Sequence, residues 1–134
     1  MPSDYTLHSE APELAEFRAL LTHCEFRAAE LPDERLLRLI TRATFFETAR
    51  GQRGELLGCA RAISDGAWVT HLSQLLVYAH AERRGIGRAL VNRIAERGGP
   101  ECTLTLMANA QSHAFYTRLG FVSSAGSLTR GRLR

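Results

Sequence analysis

The stretch Leu75-Leu76-Val77-Tyr78-Ala79-His80-Ala81-Glu82-Arg83-Arg84-Gly85-Ile86-Gly87-Arg88-Ala89-Leu90 decides how this chain is read. It opens on an apolar run that fits the end of a buried strand and crosses a polar loop from Tyr78 to Arg84. Gly85 then opens a helix whose apolar stripe is Ile86, Leu90, Val91 and Ile94. A helix start leaves its first four amide protons without partners and carries about half a positive charge. Glycines there let the backbone close around phosphate oxygens. Arg83, Arg84 and Arg88 add charge-assisted donors at the same end. Two readings fit these residues: a diphosphate cradle, or a tight strand-to-helix turn with solvated arginines. The spacing matches neither the dinucleotide fingerprint, which has a third glycine, nor a P-loop, which ends in Gly-Lys-Ser/Thr.

Upstream, Tyr5 to His8 fits a short strand, and Leu14, Phe17, Leu20 and Leu21 recur at helical spacing between Pro12 and His23. Leu31-Pro32-Asp33-Glu34 places a proline and acidic groups at a second helix start, followed by Leu36, Leu37, Leu39, Ile40 and Ala43. Strands are expected over Phe45 to Arg50, Glu55 to Ser64 and Ala67 to Val77. Gly51 to Gly54 turns between the first two, and Asp65-Gly66 forms a two-residue hairpin turn between the last two. Downstream, Gly98-Gly99-Pro100 stops the glycine-opened helix. Cys102 to Ala108 reads as a strand and Gln111 to Arg118 as a short helix closed by Gly120. Phe121 onward reads as a final strand or a hairpin around Gly126. The order is β-α-α-β-β-β-α-β-α-β, an α/β fold around a mixed sheet.

The 134 residues carry a formal charge of +3 and are 45% apolar. This is enough for one domain, 1–134, with a core that needs no disulfide or metal staple. That composition excludes disorder. No apolar run approaches the ~20 residues of a membrane-spanning helix, and the N-terminus lacks a basic segment followed by an apolar one, so a soluble, cytoplasmic protein without a membrane partner is expected. All 17 basic residues are arginines, spread along the chain except for Arg83-Arg84-Arg88 and Arg130-Arg132-Arg134. No nucleic-acid face is expected from that pattern. Cys24, Cys59 and Cys102 are spaced for neither disulfides nor zinc, and the five histidines form no ligand spacing, so no metal is expected. Trp68 is read as core or hairpin packing.

A second stretch, Asn109-Ala110-Gln111-Ser112-His113-Ala114-Phe115-Tyr116-Thr117-Arg118-Leu119-Gly120-Phe121, follows a strand directly. The order of the two stretches, the strand before each and their separation resemble the GNAT N-acetyltransferase superfamily, over most of the chain from Phe45 to Phe121. Ala60-Arg61-Ala62-Ile63-Ser64-Asp65-Gly66 is similar to the same hairpin in small bacterial members. The resemblance implies a mixed, mostly antiparallel sheet flanked by helices, with the strands at Leu75–Val77 and Leu104–Ala108 splayed into a V-shaped slot. In that slot acetyl-coenzyme A would be the cosubstrate. Leu75, Leu76 and Val77 would hold its pantetheine arm and the amides of Arg83, Arg84, Gly85, Ile86, Gly87 and Arg88 its pyrophosphate. Asn109 would contact the arm, and Tyr116 would approach the sulfur.

The chemistry of direct acetyl transfer to an amine explains these parts. Negative charge builds on the thioester oxygen, where a backbone N–H near Leu76 would help. The leaving thiolate, with a pKa near ~8.5, can take a proton from the Tyr116 phenol at around ~10. An alkylamine with pKa about 10 is neutral only about one part in a thousand near pH 7, a handicap of roughly 4 kcal/mol. Ser73-Gln74 stands where many relatives carry an acidic base, and neither side chain is one; His71 acting through water is the alternative. Glu82 would have to turn away from the phosphates. The acceptor amine has no recognisable code, and both a monomer and a homodimer fit. The rivals are an acyl-coenzyme A-binding module without turnover and an arginine-rich nucleic-acid binder.

Overall fold

The computed structural model describes residues 4–134. Strand β1 (Tyr5–His8) is followed by α1 (Leu14–His23), a 3₁₀ turn (Arg27–Glu30) and α2 (Asp33–Thr41). Three longer strands come next, β2 (Phe45–Gly51), β3 (Leu56–Ser64) and β4 (Val69–Val77). A second 3₁₀ turn (Ala79–Ala81), α3 (Ile86–Gly98), β5 (Thr103–Leu106) and α4 (His113–Arg118) complete the regular elements. The five strands lie in chain order in one sheet. The first four are mutually antiparallel, and β5 is parallel to β4, because α3 carries the chain back across the sheet as a crossover.

Each face of the sheet has its own core. Phe17, Leu20 and Leu21 of α1 and Leu36 and Ile40 of α2 pack on Phe46, Leu56, Cys59 and Leu76. On the other face Ile86, Leu90, Val91 and Ile94 of α3 pack on Ala49, Leu57, Ala60, Ala62 and Leu72. The small alanines at Ala60 and Ala62 let the helix lie close to the strands. Each fully buried leucine, such as Leu20 or Leu90, stabilises the fold by roughly 1.5–3 kcal/mol. Alternation along β3 and β4, shifted once in each strand by an extra residue at Leu57 and at Ser73, sorts side chains between an α1/α2 face and an α3 face.

A polar brace crosses the α3 core. Glu47 is fully buried on β2, paired with Arg97 at 2.9 Å and hydrogen-bonded at both oxygens by the Ser9 hydroxyl. The Arg97 guanidinium also lies 4.8 Å from the centre of the Phe45 ring. Burying a carboxylate this deeply requires such partners. On the other face Arg50 joins β2 to α1 through Glu16, at 2.6 Å.

Three expectations from the sequence are corrected. No strand follows Phe121: residues 121–134 are irregular, so the described sheet ends at β5 and the order lacks its expected last β. Polar Ser123, Ser124 and Ser127 interrupt the apolar positions that a strand at the edge would need. The β3–β4 loop is four residues, not two, because the Asp65 carboxylate accepts from the amides of Ala67, Trp68 and Val69 and closes an Asx-type turn. Those amide bonds, led by that of Ala67, hold the Asp65 carboxyl below its usual range. Trp68, at the tip of that loop, is 78% exposed rather than packed.

Candidate active site

The strand pair β4–β5 is joined only from Val69↔Thr103 to Leu72↔Leu106. Beyond Leu72, β4 continues to Val77 against β3 alone, while β5 ends at Leu106. The separation begins where β4 carries an extra residue: Gln74 pairs with Arg61 and Leu72 with Ala62, leaving Ser73 as a bulge. A bulge bends its strand and raises its twist, which turns the end of β4 away from β5 and opens a V-shaped split.

The register shows which backbone groups line the split. Tyr78 donates its amide to the Leu57 carbonyl at 2.9 Å. Bonded and non-bonded pairs alternate along an antiparallel ladder, so Leu76 bonds to its opposite residue Cys59, while the backbone groups of Leu75 and Val77 face the open side. The expectation that the Leu76 N–H meets a thioester oxygen is therefore corrected: β3 occupies that amide. The buried Leu76 side chain packs into the α1/α2 core, and the available donors are the amides of Leu75 and Val77.

At the wide end of the split, the chain enters α3 through a loop whose shape only two residues impose. Arg83 has φ +68° and Gly85 φ +81°, a left-handed conformation that Gly85 adopts freely and Arg83 holds at a cost of order 1 kcal/mol or more. Among the described residues, no protein acceptor takes any of the amide protons from Arg83 to Arg88; the ladder of α3 begins with Ala89 donating to the Gly85 carbonyl. Ile86, buried in the core, fixes the helix start. A run of unpaired amides at the positive end of a thirteen-residue helix can receive an anion.

The side chains around the cradle play unequal parts. Arg83 and Arg88 are exposed beside it, whereas Arg84 is drawn back into an ion pair with Asp4 at 3.0 Å. The Glu82 side chain is exposed. Gly87 has a packing reason that the sequence reading did not include. A side chain there would meet the Phe115 ring, with a Cβ 3.1 Å from its Cζ. The missing side chain thus lets α4 seat an aromatic ring against the first turn of α3.

On the far wall, Asn109 organises α4. Its Oδ1 accepts from the Ser112 amide at 2.9 Å and the Ser112 hydroxyl at 3.1 Å, and its carbonyl accepts from the His113 amide. This is how an Asx residue starts a helix, and it leaves the Asn109 Nδ2 free for another acceptor. One turn along, the Tyr116 ring sits edge-on between Phe115, at 5.1 Å, and Phe121, at 5.6 Å. Burial raises its pKa, and none of the described residues hydrogen-bonds its hydroxyl. Tyr116 also lines a cavity of about 780 Å³ bounded by α3, β5, α4 and the irregular tail.

Two residues near the split carried no local signal in the sequence. His23, at the end of α1, accepts the Ala79 amide proton at Nε2, 3.0 Å away, and its ring packs on Tyr78; it is 56 positions from its partner. Cys24 lies 3.7 Å from the Val77 carbonyl. Burial, ahead of the Glu82 charge, pushes its thiol pKa up, which keeps it protonated and poorly nucleophilic. Cys59, fully buried, is shifted up further by the same cause.

Known proteins share this fold. Residues 14–121 match the model of the acetyltransferase (GNAT) family. A candidate acetyltransferase from Deinococcus radiodurans R1 superposes with a TM-score of 0.74 at 26% identity, covering 96% of this chain and 89% of that one. A candidate GNAT-family acetyltransferase from Xanthomonas campestris pv. campestris gives 0.81 at 20% identity, covering 98% and 95%. Glucosamine-6-phosphate N-acetyltransferase from Arabidopsis thaliana shares the fold at 11% identity, with a TM-score of 0.72 and coverage of 95% and 97%. No curated protein matches the chain in sequence.

Proposed function

The chain belongs to the acetyltransferase (GNAT) family, and on that premise we propose that it binds acetyl-coenzyme A along the β4–β5 split and passes the acetyl group directly to an amine. The observation that carries this reading is the unbroken run of unpaired amides from Arg83 to Arg88 at the wide end of a split lined by the backbone of Leu75 and Val77. A diphosphate satisfies the first set of donors and an amide-bearing arm the second. The exposed guanidiniums of Arg83 and Arg88 add charge to the pyrophosphate site, and Asn109 Nδ2 offers a donor from the opposite wall.

In the transfer step, the amine nitrogen forms a bond to the thioester carbon, and the carbon–sulfur bond then breaks. Charge developing on the carbonyl oxygen is met by the Leu75 or Val77 amide. The departing sulfur takes the Tyr116 proton; a phenol is protonated at neutral pH and so can donate, and burial holds this one above its ordinary range. No carboxylate stands at Ser73-Gln74. The amine proton leaves through water toward His71, whose Nδ1 is held by the Thr105 hydroxyl at 2.9 Å while Nε2 remains available.

The missing carboxylate favours a second reading, an acyl-coenzyme A-binding module without turnover. Calorimetry with acetyl-coenzyme A, combined with thiol release over a panel of primary amines, separates the two. Binding with acceptor-dependent release is expected. Binding with release at the hydrolysis background for every amine supports the module, and no binding at low salt overturns both.

A further inference from the structure

On the face of the sheet opposite α3, next to the split, a nearly buried cation stands without a counter-ion. Arg61 on β3 is 7% exposed. Its Nε donates to the Leu39 carbonyl in the last turn of α2 at 2.9 Å, and its Nη1 to the Gln74 Oε1 at 3.3 Å. No carboxylate lies within ion-pairing distance of it among the described residues, and its Nη2 donates to none of them. Burial alone lowers the Arg61 pKa, the direction expected where desolvation is not repaid by an anion. Neutral helix-end and amide oxygens offset part of that cost; a carboxylate would offset more.

The surroundings point the same way. The alternation of β4, shifted by the Ser73 bulge, puts His71 and Gln74 on the same face as Arg61, and Thr105 of β5 joins them across the strand pair through His71. None of these neighbours is acidic. Gln74 directly precedes Leu75, whose backbone faces the split, and Arg61 is paired opposite Gln74, so both stand beside the split. A single guanidinium with no acid beside it can balance one negative charge. Resting on the acetyltransferase reading above, we propose that the acceptor is an amine that also bears a carboxylate, an amino acid or a compound of that class, and that Arg61, with Gln74 holding its guanidinium in place, recognises that carboxylate.

The test pairs amino acids, including β-alanine and 4-aminobutyrate, each with its own carboxamide, and adds phosphoethanolamine as a phosphate-bearing amine. Two quantities are read: kcat/KM for acetyl transfer, and the thermal shift that each compound produces in protein loaded with coenzyme A. A hydrogen-bonded charge pair predicts a preference of about 10- to 100-fold for one or more carboxylates over their carboxamides. In Arg61→Lys the preference shrinks and in Arg61→Gln it approaches unity, through KM for the carboxylate rather than through kcat. The wild-type ratio stands without the variants should either fold poorly. Equal response to carboxylate and carboxamide in both readouts, no response to either, or a stronger response to phosphoethanolamine overturns the proposal. A carboxylate-selective thermal shift that depends on Arg61, with no acetylation of any amine, instead overturns the transfer reading and supports anion recognition by Arg61.

Discussion

The two walls of the split are built to different standards. The β4 wall is paired with β3 from Thr70 to Val77 apart from the Ser73 bulge, is clamped between two helical layers, and turns the backbone of Leu75 and Val77 toward the split. The β5 wall is a four-residue strand paired on one side, backed by the six-residue α4 and an irregular tail, and it carries Tyr116 and Asn109. Hydrogen-bonded strands packed on both faces open only with the whole fold, whereas short elements with few buried contacts open locally. The β4 wall is thus the rigid side of the split and the β5 wall the softer one.

The largest expected effect attacks the rigid wall. Leu76→Ala empties a fully buried site between β4 and α1 and should cost about 2–5 kcal/mol, read as the midpoint of urea unfolding; a change under 1 kcal/mol would show that this wall is no more tightly built than its opposite. Tyr116→Phe keeps the ring packing against Phe115 and Phe121 and removes only the hydroxyl. It should lower kcat on the order of 10²-fold while leaving the dissociation constant of acetyl-coenzyme A and the melting temperature nearly unchanged. An unaltered single-turnover rate would remove the phenol from the proton transfer.

Asn109→Ala sharpens the contrast from the soft side. It deletes the acceptor that starts α4, a loss of about 1 kcal/mol, and that loss should surface as faster amide exchange over His113–Arg118 rather than as global unfolding. Uniform exchange across β4 and α4 in the variant would erase the distinction between the walls. The smallest effect concerns the Glu16–Arg50 pair that ties α1 behind the rigid wall. The hydrogen bond from Arg50 holds the Glu16 carboxyl below its usual range. Its contribution is therefore present above the ordinary carboxylate pKa and lost as pH falls through the lowered one. Against Glu16→Gln, the wild type should be more stable by no more than about 1 kcal/mol at pH 7, with the gap closing as the pH falls below the ordinary carboxylate range and through the lowered Glu16 value. A gap that persists in acid would point to packing instead of charge.

The site was legible where its function is local. The glycine-opened helix after an apolar strand implied a cradle, and the cradle is there because unpaired amides follow from a helix start wherever one occurs. The segment from Asn109 to Phe121 points to Asn109 and Tyr116 as candidates, but the helix-starting role of Asn109 depends on its bonds with Ser112. Gly87 looked like a phosphate contact, and the ring that fills its missing side chain comes from Phe115, 28 positions away. Leu76 was placed one residue out because ladder parity is set by β3. The expected last strand failed for a related reason: alternation of apolar residues near Phe121 permits an edge strand but cannot supply the pairing partner that makes one.

By itself the sequence determined the elements as far as α4, their order and the apolar stripes of the helices, since periods of 3.6 and 2 are properties of a chain segment alone. Only the tertiary structure decided where β4 parts from β5, which amides remain open, and that Arg61 lies buried beside the split without an acid. Those features arise from register, a single-residue bulge and contacts between segments 13 to 56 positions apart. No window of sequence contains both partners of such a contact in the form that fixes its geometry.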